Sequence, residues 1–195
     1  FLNKHTFKKF QKKGGFLKLA MGHGSTTESY DPATLASGFQ TVVTRAMNNT
    51  LTEIDPSNQL VPSLAESWKP INDLTWEFKL RKGVKFHYGS PFTAKDVQFT
   101  LERGPNVPNS PSSFGRYMKH IKKIEIVDPH TIRFSTETPF PLMPTYMSTF
   151  TVISKKHGDG AATKDYNSGK AMIGTGPYKF VEWVPGDRIV YARND

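Results

Sequence analysis

The sequence predicts an α/β protein with mixed sheets, short helices and a β-rich middle. Three observations carry this expectation. An apolar stripe at helical spacing follows Pro32. Beyond residue 51, short alternating runs recur between turn residues at intervals of about ten. Two hairpins stand out, one turning on Asp128-Pro129-His130 and one on Pro185-Gly186-Asp187.

In chain order, residues 16–21 read as a short strand and 22–32 as a loop rich in Gly, Ser, Thr and Asp. Leu35, Phe39, Val42, Val43, Ala46 and Met47 fall on one face of a helix, with Asn48-Asn49 as its stop. A strand at 51–54 opens the β-rich part, whose turns are expected at Asp55-Pro56-Ser57-Asn58, at 70–73, at Arg81-Lys82-Gly83 and at Gly89-Ser90-Pro91. Between them Trp76, Phe78 and Leu80 alternate with Thr75, Glu77 and Lys79, which predicts a sheet with one buried face.

Thr93 and Asp96 have the spacing of a helix N-terminal capping box, with Phe92, Val97, Phe99 and Leu101 as apolar contacts. Residues 104–113 carry Pro105, Pro108 and Pro111, so neither regular helix nor central strand fits, and an exposed loop is expected. A hairpin of 124–128 with 131–134 follows, then a short helix near 142–147, a strand at 151–154 and a polar stretch through 165–168. The last unit is a hairpin of 178–184 with 188–193, entered through Gly174-Thr175-Gly176-Pro177.

The net charge of +9 is concentrated at the start. Residues 1–27 hold six lysines and no acid, which leaves +3 for everything else and makes the lead a solvated tail rather than a nucleic-acid surface. Lys79, Arg81, Lys82, Lys85 and Phe86 mix basic and aromatic residues, but alternation puts Lys79 and Arg81 on one solvated strand face. With no cysteine, disulfides, thiolate metal sites and cysteine nucleophiles are excluded. No apolar stretch approaches the roughly 18 residues of a membrane-spanning helix. The start at Phe1 and the stop after a strand-like run are read as the ends of a processed or cut chain without a signal peptide.

Enzyme chemistry finds little footing. Gly169-Lys170-Ala171 lacks the paired glycines and hydroxyl of a P-loop. Gly174-Thr175-Gly176 lacks the third glycine of a dinucleotide fingerprint and leads into a strand, so it reads as a backbone turn. His5, His23, His87, His120, His130 and His157 are scattered without metal-ligand spacing and read as surface or loop residues. No Gly-x-Ser-x-Gly elbow occurs, and the acids show no local pairing. No catalytic residue, metal ligand or cofactor is assigned.

A series of ordered motifs carries a resemblance. They are Gly-Gly-Phe-Leu-Lys-Leu at 14–19, Ser-Tyr-Asp-Pro-Ala-Thr at 29–34, Leu-Thr-Glu at 51–53 and Leu-Val-Pro-Ser-Leu-Ala-Glu-Ser-Trp at 60–68. Thr-Trp-Glu-Phe-Lys-Leu-Arg-Lys-Gly-Val-Lys-Phe-His at 75–87 and Pro-Phe-Thr-Ala-Lys-Asp-Val at 91–97 follow. Val-Asp-Pro-His-Thr-Ile-Arg-Phe at 127–134, Gly-Thr-Gly-Pro-Tyr at 174–178, Asp-Arg-Ile-Val at 187–190 and Ala-Arg-Asn-Asp at 192–195 complete the series. Together they resemble the extracellular solute-binding proteins, family 5, that serve peptide, dipeptide and nickel ABC importers.

The resemblance implies the first lobe of a periplasmic-binding-protein type II fold with an inserted β-rich subdomain, closing on its ligand by hinge motion. On that basis 1–15 is a basic lead, 16–50 the first part of lobe I, 51–168 the β-rich subdomain and 169–195 the return into lobe I, with the second lobe outside this chain. It further implies a periplasmic or extracellular carrier that binds peptide and passes it to ABC permease subunits in the inner membrane, with no enzyme activity and no nucleic-acid partner. Members for nickel, haem or an opine, and a fragment that binds nothing, are the alternative readings.

Ligand contacts carried over from the family fall on Ala36, Ser37, Gly38 and Phe39. A family aromatic after a Ser-Pro pair has no direct counterpart, because Ser110-Pro111 is followed by Ser112; Phe114 or Tyr117 stands in for it. Phe39 fits helix core equally well, and Phe114 fits loop packing. A lobe without its second half exposes apolar surface, so self-association of the isolated chain is expected.

Overall fold

The computed structural model describes residues 14–20, 29–34, 38–108, 110 and 115–195. The first described helix, α1 (Gly38–Met47), stops where the sequence predicts, at Asn48. Among the described side chains, its buried face keeps part of the expected apolar stripe and adds polar residues to it. Val43 and Met47 are buried beside polar Gln40 and Thr44, whereas Val42 is 55% exposed. The rotation has a cause: the amide of Gln40 is needed inside, where Nε2 donates to the Asp31 carbonyl at 2.7 Å.

After α1 a small hairpin, β1 (Thr52–Ile54) with β2 (Leu60–Pro62), closes on Asp55. The Asp55 carboxylate accepts the backbone N–H groups of Ser57 at 2.8 Å and Gln59 at 2.9 Å, a side-chain turn that shapes the loop. Next come β3 (Ala65–Asn72) and β4 (Thr75–Leu80). The turn expected at 70–73 sits later, because β3 runs through Pro70 and pairs Asn72 with Thr75. Proline is tolerated there because β3 is an edge strand, where the sheet calls on only one side of the backbone.

The capped helix forms as α2 (Ala94–Arg103), with the Asp96 carboxylate accepting the Thr93 N–H at 2.9 Å. The expected loop at 104–113 is only partly a loop: 104–106 make a 3-10 turn and Val107 is buried. Residue 109 and residues 111–114 lie outside the described residues. After the short α3 (Gly115–Met118), β5 (Ile121–Asp128) and β6 (Thr131–Thr136) form the predicted hairpin, and the antiparallel sheet takes the order β3-β4-β6-β5.

Alternation places Phe78, Leu80, Ile132 and Phe134 on the inner face, where Phe78 and Phe134 meet edge to face at 5.3 Å. Val97 and Leu101 of α2 close over them. Glu77 departs from the pattern, because it is a charged residue buried on the opposite face. It is partnered there: Arg133 lies across from it in register and donates from Nε at 2.9 Å, which holds the Glu77 carboxyl below its ordinary value. Lys69 and Glu125 extend this row on the outer strands, so charges alternate in sign across all four.

Beyond the sheet lie α4 (Met143–Tyr146), α5 (Lys155–Gly158) and α6 (Thr163–Asn167), the last two within the stretch expected to be merely polar. The strand expected at 151–154 is buried extended chain with a single bridge, Thr151 to Thr50. Its N–H groups go to separate partners, Val152 to the Asn49 carbonyl and Ile153 to the Thr100 hydroxyl, so no ladder forms. The closing hairpin is β7 (Tyr178–Val184) with β8 (Arg188–Arg193). Residues 16–20 of the expected first strand are not in a strand, and Phe16 is fully exposed; no neighbouring strand among the described residues offers them hydrogen bonds, and Met21 lies outside those residues.

Apolar side chains gather in two clusters. The larger joins the sheet, α2 and α4; the smaller joins Tyr30, Val43, Met47, Ile153, Tyr166, Ala171 and Met172, with Phe180, Trp183, Ile189 and Tyr191 packed against it. No helix among the described residues is long and apolar enough to cross a membrane. Replacing Phe78 by Ala should cost about 3–5 kcal/mol of stability in the full-length protein, read by denaturant unfolding, since the ring sits fully buried between sheet and helix.

Candidate ligand-binding wall and its anchor

The turn at 29–34, just ahead of the residues expected to meet ligand, is held by its own polar groups. Ser29 Oγ accepts the Asp31 N–H at 3.1 Å, and the Asp31 carbonyl accepts both the N–H and the hydroxyl of Thr34, at 3.0 and 2.9 Å. Asn167, the last residue of α6, accepts the Tyr30 N–H at 2.8 Å.

The Asp31 side chain is fully buried, and Arg103 at the end of α2 meets it with both arms of its guanidinium, each at 2.6 Å. Such a fork matches the two carboxylate oxygens in one plane. Two further donors complete the shell: the Ala33 N–H at 3.0 Å and the Thr163 hydroxyl at 2.9 Å. The guanidinium also lies over the Tyr166 ring at 4.3 Å. Burial works against the Arg103 charge, yet the Asp31 hydrogen bonds and charge hold its pKa above the ordinary value. Burial likewise pushes the Tyr166 phenol upward and the Tyr191 phenol up to about 12.

A second knot lies at the other end of α1. Gly176 N–H donates to the Met47 carbonyl at 2.8 Å, and a Cβ on Gly174 would collide with that same carbonyl oxygen, so the backbone approach requires glycine. His87 lies in a turn, as expected of a loop residue, but it is buried rather than on the surface. Its Nδ1 faces the Gly174 N–H at 3.3 Å and its Nε2 faces the Gly176 carbonyl at 3.1 Å. A donor on one side and an acceptor on the other select the neutral ring with the proton on Nε2. Burial lowers its pKa in the same sense.

Of the residues expected to touch ligand, Ala36, Ser37 and Phe114 lie outside the described residues, as do the side chains at 38 and 39; the backbone of Gly38 and Phe39 starts α1. Tyr117 sits in α3, half-buried, edge-on to Tyr146 at 5.8 Å and Phe150 at 6.2 Å. Arg45 of α1 donates to the Ser148 carbonyl at 2.7 Å, which ties α1 to the chain beside this aromatic group. An apolar cavity lined by Leu51, Val97, Leu101, Met147 and Phe150 has a volume of about 10 Å³, room for no more than a water molecule. No group of three or more metal-ligating side chains occurs among the described residues. Sequence reading missed Asp31, Arg103 and Thr163; the Tyr30-Asp31-Pro32 motif was the one visible signal.

Residues 59–195 match the family described as bacterial extracellular solute-binding proteins, family 5 Middle. The chain belongs to this family. Among family 5 relatives, the glutathione-binding protein GsiB of Pectobacterium atrosepticum is 33% identical over 169 residues, covering 85% of this chain and 32% of that protein. Heme-binding protein A of Haemophilus influenzae is 35% identical over 161 residues, covering 71% of this chain and 29% of its own length. The ABC transporter-associated periplasmic binding protein DppA of Helicobacter pylori, solved with the peptide STSA, superposes with a TM-score of 0.72 and 31% identity over 88% of this chain and 38% of DppA. The α/β fold expected from the sequence is thus that of the periplasmic binding proteins of family 5, and the chain spans about a third of the length of the relatives it matches.

Two tests follow from the geometry. The Tyr166 hydroxyl is buried with no hydrogen-bond partner among the described residues, so Tyr166→Phe should leave the melting temperature of the full-length protein unchanged or raise stability by about 1–2 kcal/mol. The depressed His87 pKa means that the unfolded chain takes up the proton first. Stability from this site should therefore be complete above the ordinary value of 6.5 and be lost progressively as pH falls below it toward the folded pKa. Urea midpoints from pH 7 to 5 should show this slope reduced, though not abolished, in His87→Gln, because burial lowers His157 in the same sense.

Proposed function

We propose that the full-length protein binds short peptides in a cleft of which this chain forms one wall, and that it serves as the periplasmic substrate-binding component of an ABC importer, handing peptide to membrane permease subunits. It is a carrier in this reading and performs no chemistry on its ligand. The observation that carries it is the likeness to DppA, whose solved complex holds a peptide, across 88% of this chain. The relative named for glutathione, itself a tripeptide, supports the same ligand class.

The division of labour follows the sequence. Residues 16–50 and 169–195 belong to the first lobe, and 51–168 form the subdomain attached to it. Residues 36–39 supply main-chain hydrogen bonds to the extended ligand, with Gly38 permitting close approach. Phe39, Phe114 and Tyr117 supply apolar wall, so specificity for particular side chains is loose.

Calorimetric titration of the full-length protein with di-, tri- and tetrapeptides, glutathione, haem and nickel–histidine decides the matter. Saturable one-to-one binding of at least one peptide is expected. Binding of haem or nickel–histidine with no peptide bound would replace the ligand class, and a protein that binds nothing would end the carrier reading.

A further inference from the structure

We propose that His87 is a pH-sensitive latch: on taking up a proton it lets go of the strap at 173–176 that leads into β7, and so loosens the join between the two apolar clusters. The proposal is independent of what the protein binds.

The strap lies where the clusters meet, since Met172 belongs to the smaller and Ile173 to the larger. On one side it rests on the end of α1, through the Gly176 N–H to the Met47 carbonyl and the Thr175 hydroxyl to Asn49 Oδ1 at 2.9 Å. On the other side His87 holds it three times. The His87 N–H donates to the Gly174 carbonyl at 2.9 Å, Nδ1 accepts the Gly174 N–H, and Nε2 donates to the Gly176 carbonyl. The loop that carries His87 is itself anchored, because Phe86 and Phe92 are buried in the larger cluster and meet edge to face at 6.3 Å. Strain at the latch therefore falls on the strap.

A proton removes the one acceptor on the ring. The imidazolium carries N–H on both nitrogens, so one still reaches the Gly176 carbonyl while the other confronts the Gly174 N–H, donor against donor. Turning the ring over only exchanges the two. The neighbours offer the charge no relief. The end of α1 brings Met47, Asn48 and Asn49, the strap carries no charge, and the loop carries the exposed Lys85. The chain after β8 brings Asn194, which shares the Gly176 carbonyl, with Asp195 beyond it paired to Arg193 at 2.9 Å. From β7 comes Lys179, whose charge opposes protonation, as burial does, so the open form takes the proton first. Asn48 Oδ1 is already buried against Gly174 without a hydrogen-bond partner among the described residues, which leaves the closed form little in reserve.

The test is amide hydrogen exchange on the full-length protein, each rate divided by the chemical rate at that pH. At His87, Gly174 and Gly176, exchange should be faster than at Phe78 and Ile132 and indifferent to dilute urea, the mark of an opening that exposes little surface. From pH 7 to 5 their protection should fall by about threefold or more, about tenfold per pH unit being the ceiling for a single proton. His87→Gln, which keeps a donor and an acceptor but cannot titrate in this range, should show the same protection at both pH values. If that variant does not fold, NMR of the wild-type ring decides: a proton on Nε2 at pH 7 and a titration midpoint below 6.5 are expected.

Protection at the three amides that does not change with pH, or a pH response that survives His87→Gln, overturns the proposal. So does exchange there only through the urea-sensitive event that also exposes Phe78 and Ile132, or a ring with its proton on Nδ1 or a midpoint at or above 6.5.

Discussion

A carboxylate taken wholly out of water must be repaid on every lone pair, and Asp31 imposes that demand on the rest of the molecule. Its four donors arise from three segments, and Arg103 stands 72 residues away in the chain. Removing one partner of such a pair typically costs about 3–5 kcal/mol, because the other charge is left stranded. The demand runs outward from there: α2 must end where its last arginine can reach, α6 must start at Thr163, and α1 must turn Gln40 inward at the expense of Val42. Polar residues on the buried face of α1 are therefore a consequence of the node.

The opposite end of α1 is governed by distance rather than charge. Two glycines let the chain before β7 lie against the Met47 carbonyl, and His87 reads the same strip of backbone from the other side. The helix is thereby tied at both ends, by the Gln40 amide to the Asp31 carbonyl and by its Met47 carbonyl to the Gly176 N–H. A segment held in this way can present main chain to a ligand without support from the ligand itself, the general advantage of preorganisation.

Much of this was legible in the sequence, and the limits have physical causes. The two long hairpins could be read because alternation and turn chemistry are local, as in Phe78 and Ile132 or Asp187 and Gly186. Residues 70–73 misled because proline normally marks a break, whereas at an edge the sheet calls on only one side of the backbone. Residues 151–154 have the composition of a strand, but among the described residues they pair only at the Thr151–Thr50 bridge, because the Ile153 N–H goes to the Thr100 hydroxyl. Of the candidate wall, the motif around Asp31 marked the place, while its partners were hidden because an arginine at a helix end looks like any solvated cation until the fold brings a carboxylate to it. His87 escaped for a similar reason, since nothing nearby in sequence announces that Gly174 and Gly176 will enclose it.

Pro70 has one more implication. A free sheet margin offers its N–H and C=O groups to any extended chain that passes, including the same margin of a second molecule. On β3 that row meets a proline at Pro70, and the pairing with β4 shifts register between Ala65 and Ser67 and again between Pro70 and Asn72. A protein whose proposed task is to hold extended peptides in one place gains from having its other strand margins unable to hold them.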